Sequence, residues 1–163
     1  LLRLLAREDA HPRLFDAYAA LVHVLASPDA EALSPAALRA FELLLLRETG
    51  HLPALDVQTL TLAPIEGDPG YRLVAEGGLR EAHGDDDGAW LPGRAWQALA
   101  VALGDEAAFT AVLQVLARWP LAQQGRLRQQ LRELLHYHGG GSTLRTRQLM
   151  LDLQRLKTSP NPP

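Results

Sequence analysis

Leu131-Arg-Glu-Leu-Leu-His-Tyr-His-Gly-Gly-Gly-Ser-Thr-Leu-Arg-Thr-Arg147 ends one helix, stops it with three glycines and opens another. Glycine readily takes the left-handed conformation that terminates a helix, and Ser142 or Thr143 is a natural N-cap for the second helix. Upstream, over residues 121–138, Leu127, Leu131 and Leu134, with Tyr137 or His138, fall on one side of a helix. Arg128, Arg132 and His136 recur at i, i+4 and i+8 on another. Downstream, over residues 143–156, Leu149, Leu153 and Leu156 repeat at i, i+4 and i+7. Two apolar-faced helices joined by a short loop pack antiparallel. Arg145 and Arg147 stand in the first turn of the second helix. There they oppose the helix dipole at a cost of about 0.3–1 kcal/mol unless an anion uses them. Backbone N–H groups at such an end also suit a phosphate or carboxylate. This corner is arranged for an acidic partner.

The same reading extends backwards. Residues 11–26 place Leu14, Tyr18, Leu21, Val22 and Leu25 at helical spacing. Ser34-Pro35 has the form of a helix start, running to about Glu48 with Leu38, Phe41, Leu45 and Leu44 inward and Gly50 as the stop. Helices are also expected over 93–103 and 105–118. Residues 51–92 lose that period: residues 57–62 and 71–75 read as short strands, 79–82 as a weaker third, and the Gly/Asp-rich stretches between them as turns. The predicted fold is mainly α (α+β), a helical bundle with a small irregular β insert. Residues 1–156 form the domain, 51–92 the insert and 157–163 a disordered, proline-rich tail.

At 163 residues, 47% hydrophobic and 21% charged, the chain has the composition of one globular domain. It has no cysteine, hence no disulfide and no thiolate metal site. No apolar run is long enough for a bilayer and no export signal is visible, which points to the cytoplasm. Leu1–Leu5 already looks helical, and the chain is expected to begin in mid-protein. Fifteen arginines against one lysine reflect codon bias and carry no functional weight. The net charge of −3 conceals an asymmetry. Residues 1–117 carry 8 basic and 17 acidic side chains, whereas 118–163 carry 8 basic and 2 acidic. A basic segment on an acidic body binds polyanions locally whatever the overall sign.

Two readings of the arginine stripe stay open: a groove for phosphates or an acidic peptide, and a solvated face with surface ion pairs. Only Glu133 and Asp152 are near in sequence to neutralise it, which favours the groove. The triple glycine is not a nucleotide-hydrolase phosphate loop, since the Lys-Ser/Thr ending and the preceding strand are missing. His51, Asp56, Asp68, His83 and Asp85–Asp87 show no ligand spacing, and an acidic exposed loop is the simpler reading. No metal and no cofactor are expected. Catalytic motifs of the Gly-x-Ser-x-Gly and His-Glu-x-x-His kinds are absent, so no catalytic residue is assigned. Trp90, Trp96 and Trp119 sit beside apolar residues and read as core anchors.

Residues 131–147 resemble the closing signature of the bacterial recombination mediator RecO family: a basic leucine-rich helix, a Tyr-His-Leu-Gly type turn, then Leu-Lys-Ser-Arg, here His138-Gly139 and Leu144-Arg-Thr-Arg147. Leu38-Arg-Ala-Phe-Glu-Leu-Leu-Leu-Leu46 with Gly50 is similar to the family's Leu-Arg-x-Phe-Glu-x-x-Leu-Leu…Gly helix, and Leu14-Phe-Asp-Ala-Tyr18 to the helix before it. The likeness spans roughly residues 1–156. It is expected to correspond to the C-terminal helical portion alone, without the family's N-terminal oligonucleotide-binding barrel, and it has none of the four cysteines with which some members bind zinc. The insert is therefore expected to be a degenerate zinc-finger-like region without metal, held by Leu60, Leu62, Tyr71, Leu73 and Val74.

The resemblance implies a non-enzymatic role in recombinational DNA repair, in the bacterial cytoplasm at the nucleoid. It implies work with RecR, remodelling of single-stranded DNA-binding protein (SSB), recombinase loading and strand annealing. Arg118, Arg126, Arg128, Arg132, Arg145 and Arg147 are the expected contacts to single-stranded DNA. SSB ends in an acidic tail with a terminal phenylalanine carboxylate, which calls for an apolar slot and a guanidinium. Arg39 with Leu14 and Tyr18 is the expected site. The plain alternative is that Arg39 pairs with Glu42 or Asp16. Two rivals for the whole remain: a purely protein–protein adaptor with DNA handled by the missing barrel, and a small hydrolase using the acids of 85–87.

Overall fold

A computed structural model describes residues 11–86 and 88–139. The elements run α1 (Pro12–Leu25), α2 (Ala30–Glu48), β1 (Gly70–Val74), β2 (Gly78–Glu81), β3 (Leu91–Pro92), α3 (Gly93–Leu103), α4 (Ala108–Ala117) and α5 (Leu121–His138). The fold is mainly helical with a small antiparallel sheet between α2 and α3, as the sequence predicts. The helix expected over 143–156 and the tail after it lie outside the described residues.

Helix α2 is the axis, packing against α1, α4 and α5. Leu43, Leu44, Leu45 and Leu46 are all buried, none more than 3% exposed. A helix apolar on every side is one surrounded on every side. Leu38 and Phe41 depart from expectation: Leu38 is 39% exposed and Phe41 half-buried. Pro35 lies inside α2 rather than at its start. Proline forfeits the bond to the carbonyl four residues back, here that of the exposed Glu31, and one lost bond near a terminus does not stop the helix. The hydroxyl of Ser34 adds a bond to the Ala30 carbonyl. On α1, Leu14, Ala17 and Leu21 face inward, while Tyr18, Val22 and Leu25 remain largely exposed.

The sheet has the order β2-β1-β3. Leu73 stands opposite Leu79 and Tyr71 opposite Leu91. These four point into the core, none above 2% exposed, so the alternation of a strand sends Gly70, Arg72 and Arg80 to the other face. Gly78, with a φ of 66°, closes the β1–β2 hairpin. Strand β3 pairs only with Gly70 and Tyr71, leaving the Leu73 N–H without a strand partner on that edge. The fully buried Gln130 of α5 supplies it, its Oε1 accepting at 2.6 Å. A buried N–H left unpaired costs about 1–3 kcal/mol, so this bond fixes α5 against the insert.

Residues 57–62 are not a strand. A single bridge joins Val57 to Pro64, and Leu62 turns the chain with a φ of 57°. Thr59 instead seals the edge of β2, its N–H donating to the Leu79 carbonyl and its hydroxyl accepting the Leu79 N–H, both at 2.8 Å. Leu60 and Leu62 are 80% and 73% exposed and do not hold the insert together. Leu55 and Ile65 take that place beside Leu73, Leu79 and Leu91. The outer loop is held by charge. Asp86, 4% exposed, accepts two bonds from Arg80 (2.7 and 2.9 Å), one from Arg72 (3.1 Å) and one from the His83 N–H (2.7 Å). The tryptophans divide: Trp96 is fully buried and Trp119 partly so, but Trp90 is 36% exposed and is not a core anchor.

Candidate nucleic-acid interface

Helix α5 presents its leucines as expected. Leu127, Leu131 and Leu134 are buried to 2% or less and Gln130 completes that side. Arg128, Arg132 and His136 all face solvent. Glu133, expected to neutralise them, is drawn away: it bonds Arg72 of β1 at 3.2 Å and Gln129 at 3.3 Å. Neither Arg128 nor Arg132 forms an ion pair with a described carboxylate.

The six expected DNA contacts do not all gather. Arg128 and Arg132, a turn apart, share one flank of α5. Arg126 lies about 160° around the helix from Arg128, with its guanidinium carbon 5.6 Å from the centre of the Trp90 ring. Arg118 is exposed at the C-cap of α4. The corner behind it is braced by Gln124, which donates to the carbonyls of Leu116 and Trp119. Arg145 and Arg147 lie outside the described residues. The described cations thus do not converge on one groove: Arg128 and Arg132 share one flank of α5, Arg126 lies on the other beside Trp90, and Arg118 stands at the end of α4.

The three residues expected to hold an acidic tail separate as well. Leu14 is buried under α1, 6% exposed. Tyr18 meets Phe41 edge to face, with ring centres 6.1 Å apart. Phe41 and Arg39 lie about 160° apart around α2, so Arg39 turns away from both toward α5. There Arg39 bonds Glu42 at 2.6 Å, with side chains 13% and 22% exposed. Burial holds the guanidinium below its ordinary pKa. Burial also raises the Glu42 carboxyl above the usual carboxylate range, against the pull of Arg39 and Arg128. Arg39 Nε and Glu42 Oε2 are buried without a hydrogen-bond partner.

Arg39 lines a groove of about 370 Å³ between α2 and the start of α5. Its apolar wall is Pro35, Leu38 and Leu121, and Arg128 stands on its rim. Leu121 and Arg128 come from α5, some 80 residues away along the chain, which is why local sequence reading selects Leu14 and Tyr18 instead. Pro35, Leu38 and Arg39, one turn of helix apart, were the signal available.

Among the described residues no three His, Cys, Asp or Glu side chains gather as a metal would require. A zinc ion does not fit this insert. The chain has no cysteine, and both oxygens of Asp86 are taken by guanidiniums and the His83 N–H. The same engagement leaves Asp86 unavailable as a catalytic acid; Asp87 lies outside the described residues. No described helix is long and apolar enough to cross a membrane.

The structure is a helical module with a small sheet, a cationic outer helix and an apolar groove flanked by Arg39 and Arg128. Comparison with known proteins narrows the class. The family described as Recombination protein O C terminal matches residues 1–148. The DNA repair protein RecO of Variovorax paradoxus (strain S110) is 58% identical over 159 residues, covering 96% of this chain and 61% of that protein. The protein of the same name from Polaromonas sp. (strain JS666) is 55% identical over 156 residues, covering 96% and 60%. That of Acidovorax ebreus is 53% identical over 161 residues, covering 96% and 61%. The chain belongs to the RecO family, and it spans about three-fifths of the length of these relatives.

Proposed function

We propose that this chain is the DNA- and partner-binding helical part of a recombination mediator in DNA repair. It binds single-stranded DNA and the acidic tail of SSB, and acts with RecR in recombinase loading and strand annealing without catalysing a reaction itself. The observation that carries this reading is the outer flank of α5, where exposed Arg128 and Arg132 form no ion pair with a described carboxylate, Glu133 being bonded to Arg72 instead. Arg118 and Arg126, with Arg145 and Arg147, extend the phosphate contacts to either side.

The acidic tail takes the α2–α5 groove. Its terminal ring lies on Pro35, Leu38 and Leu121, and its carboxylate meets Arg128 and Arg39. Arg39 already neutralises Glu42, so Arg128 carries most of the attraction. The adaptor reading, in which an oligonucleotide-binding barrel alone handles DNA, is favoured by this groove and not by the outer flank of α5.

The test is binding of oligo-dT by the 163-residue chain across a salt series. The Arg128→Ala/Arg132→Ala double variant is expected to bind more weakly at low salt. For single strands the slope of log K against log salt is about −0.7 per phosphate neutralised, so two lost contacts flatten it by about 1.4. Unchanged affinity and slope in the double variant would remove the DNA claim and leave the adaptor.

A further inference from the structure

Trp90 is placed as a ligand-facing ring rather than a packing anchor. It directly precedes β3, where the register of β1 with β3 continues to set residue 90 against Arg72. It therefore shares the outward face of the sheet with Gly70, Arg72 and Arg80. The ring lies on Gly70: a Cβ there would stand 2.6 Å from Trp90 Cε3 and 2.8 Å from Cδ2. Any other residue at position 70 would displace the indole. Arg126, on the flank of α5, also stands over the ring, its guanidinium carbon 5.6 Å from the centroid.

The charges on this face are unequal. Arg72 is held by Asp86 and Glu133, and Arg80 by Asp86. Arg126 has no described carboxylate partner, and its side chain is exposed. It is the one cation here that can turn from the ring to an incoming phosphate without breaking an ion pair among the described residues. An aromatic face backed by glycine, beside a free guanidinium, is the arrangement that stacks unpaired bases. The π-face accepts any base and the cation takes the adjoining phosphate.

We propose that Trp90 stacks a nucleobase of single-stranded nucleic acid, with Arg126 as its phosphate partner. The inference rests on the single-stranded DNA reading and adds base contact to it. The strand crosses the outer side of α5 from Arg128 and Arg132 to the sheet. Backbone charge is read at one end and an unstacked base at the other.

The probes are oligo-dT and an abasic oligomer with the same phosphate number, titrated into the 163-residue chain and its Trp90→Leu and Trp90→Phe variants. Leucine still covers Gly70 but offers no π-face, and matching melting temperatures show that the variant is folded. Wild type is expected to prefer oligo-dT to the abasic strand, and Trp90→Leu to lose about tenfold on oligo-dT, within the range for one stacked base. Its affinity for the abasic strand and its salt slope stay at wild-type values. Tryptophan emission, quenched in the wild type on adding oligo-dT, is quenched much less in Trp90→Phe, where only the fully buried Trp96 and the partly buried Trp119 beside Arg118 remain. Equal affinity of wild type for both oligomers, or equal loss by Trp90→Leu on both, overturns the stacking proposal while leaving salt-dependent DNA binding intact. Failure of wild type to bind either strand at low salt overturns the DNA reading itself, and the stacking proposal with it.

Discussion

Replacing Asp86 by asparagine keeps the side chain's size and removes its charge, which isolates what the carboxylate does for the β insert. In the native chain that carboxylate is 5% exposed and bridges Arg80, Arg72 and the His83 N–H. Removing one partner of a buried ion pair costs about 3–5 kcal/mol. Arg72 and Arg80 keep 18% and 29% of their side-chain surface in contact with water, so the lower end, about 3 kcal/mol, applies. For a domain of this size each kcal/mol is about 2–4 °C, giving a fall of roughly 6–12 °C at neutral pH. The pH dependence has a definite sign. The bonds from Arg80, then that from His83, hold the Asp86 carboxyl well below the usual carboxylate range. The stabilisation is therefore complete above the unfolded value near about 3.9 and is lost as pH falls from there toward the folded value. Thermal melts followed by circular dichroism at pH 7 and pH 3 test this. The gap between wild type and Asp86→Asn should be narrower at pH 3 by about 1 kcal/mol. Equal melting temperatures at pH 7, or a gap that does not narrow in acid, would refute the ionic account of the insert.

Arg39→Ala should destabilise the fold, because it strands the half-buried Glu42 carboxyl beneath α5; a melting temperature within about 2 °C of wild type, less than 1 kcal/mol, would show the pair to be inert. Leu121→Glu places a carboxylate at the first residue of α5, in the groove and 81% exposed in the native residue. It should abolish measurable binding of an SSB tail peptide by calorimetry. The melting temperature should hold or rise, since an acid at a helix start is worth about 0.3–1 kcal/mol. Unchanged peptide affinity would move the acidic-tail site elsewhere.

The helices were legible because each leaves its period in the apolar residues; on α5 Leu127, Leu131 and Leu134 are buried where the pattern puts them, whereas Tyr137 is 51% exposed and His138 only partly buried. The start of α2 was not, because Ser34-Pro35 has the form of a helix start whether the helix begins there or four residues earlier. Residues 57–62 carry the alternation of a strand, yet Pro64 and the left-handed Leu62 make them a turn. The third strand is only Leu91–Pro92, too short to have a period. At the site, the exposed flank of α5 follows from spacing alone. That Arg39 faces Arg128 and that Glu133 is claimed by Arg72 depend on contacts across 89 and 61 residues, which no local pattern records. Trp90 and Gly70 belong to the same class: the sequence reads Trp90 as a core anchor, and only the sheet register brings it out onto Gly70.

The central claim is that single-stranded DNA lies along the outer side of α5, and amide chemical-shift mapping with oligo-dT at low salt addresses it directly. The account predicts shifts concentrated at Arg126, Arg128, Gln129 and Arg132 and at Trp90, fading as salt rises. Shifts confined to α1 or to the loops of the insert, with these positions silent, would contradict it.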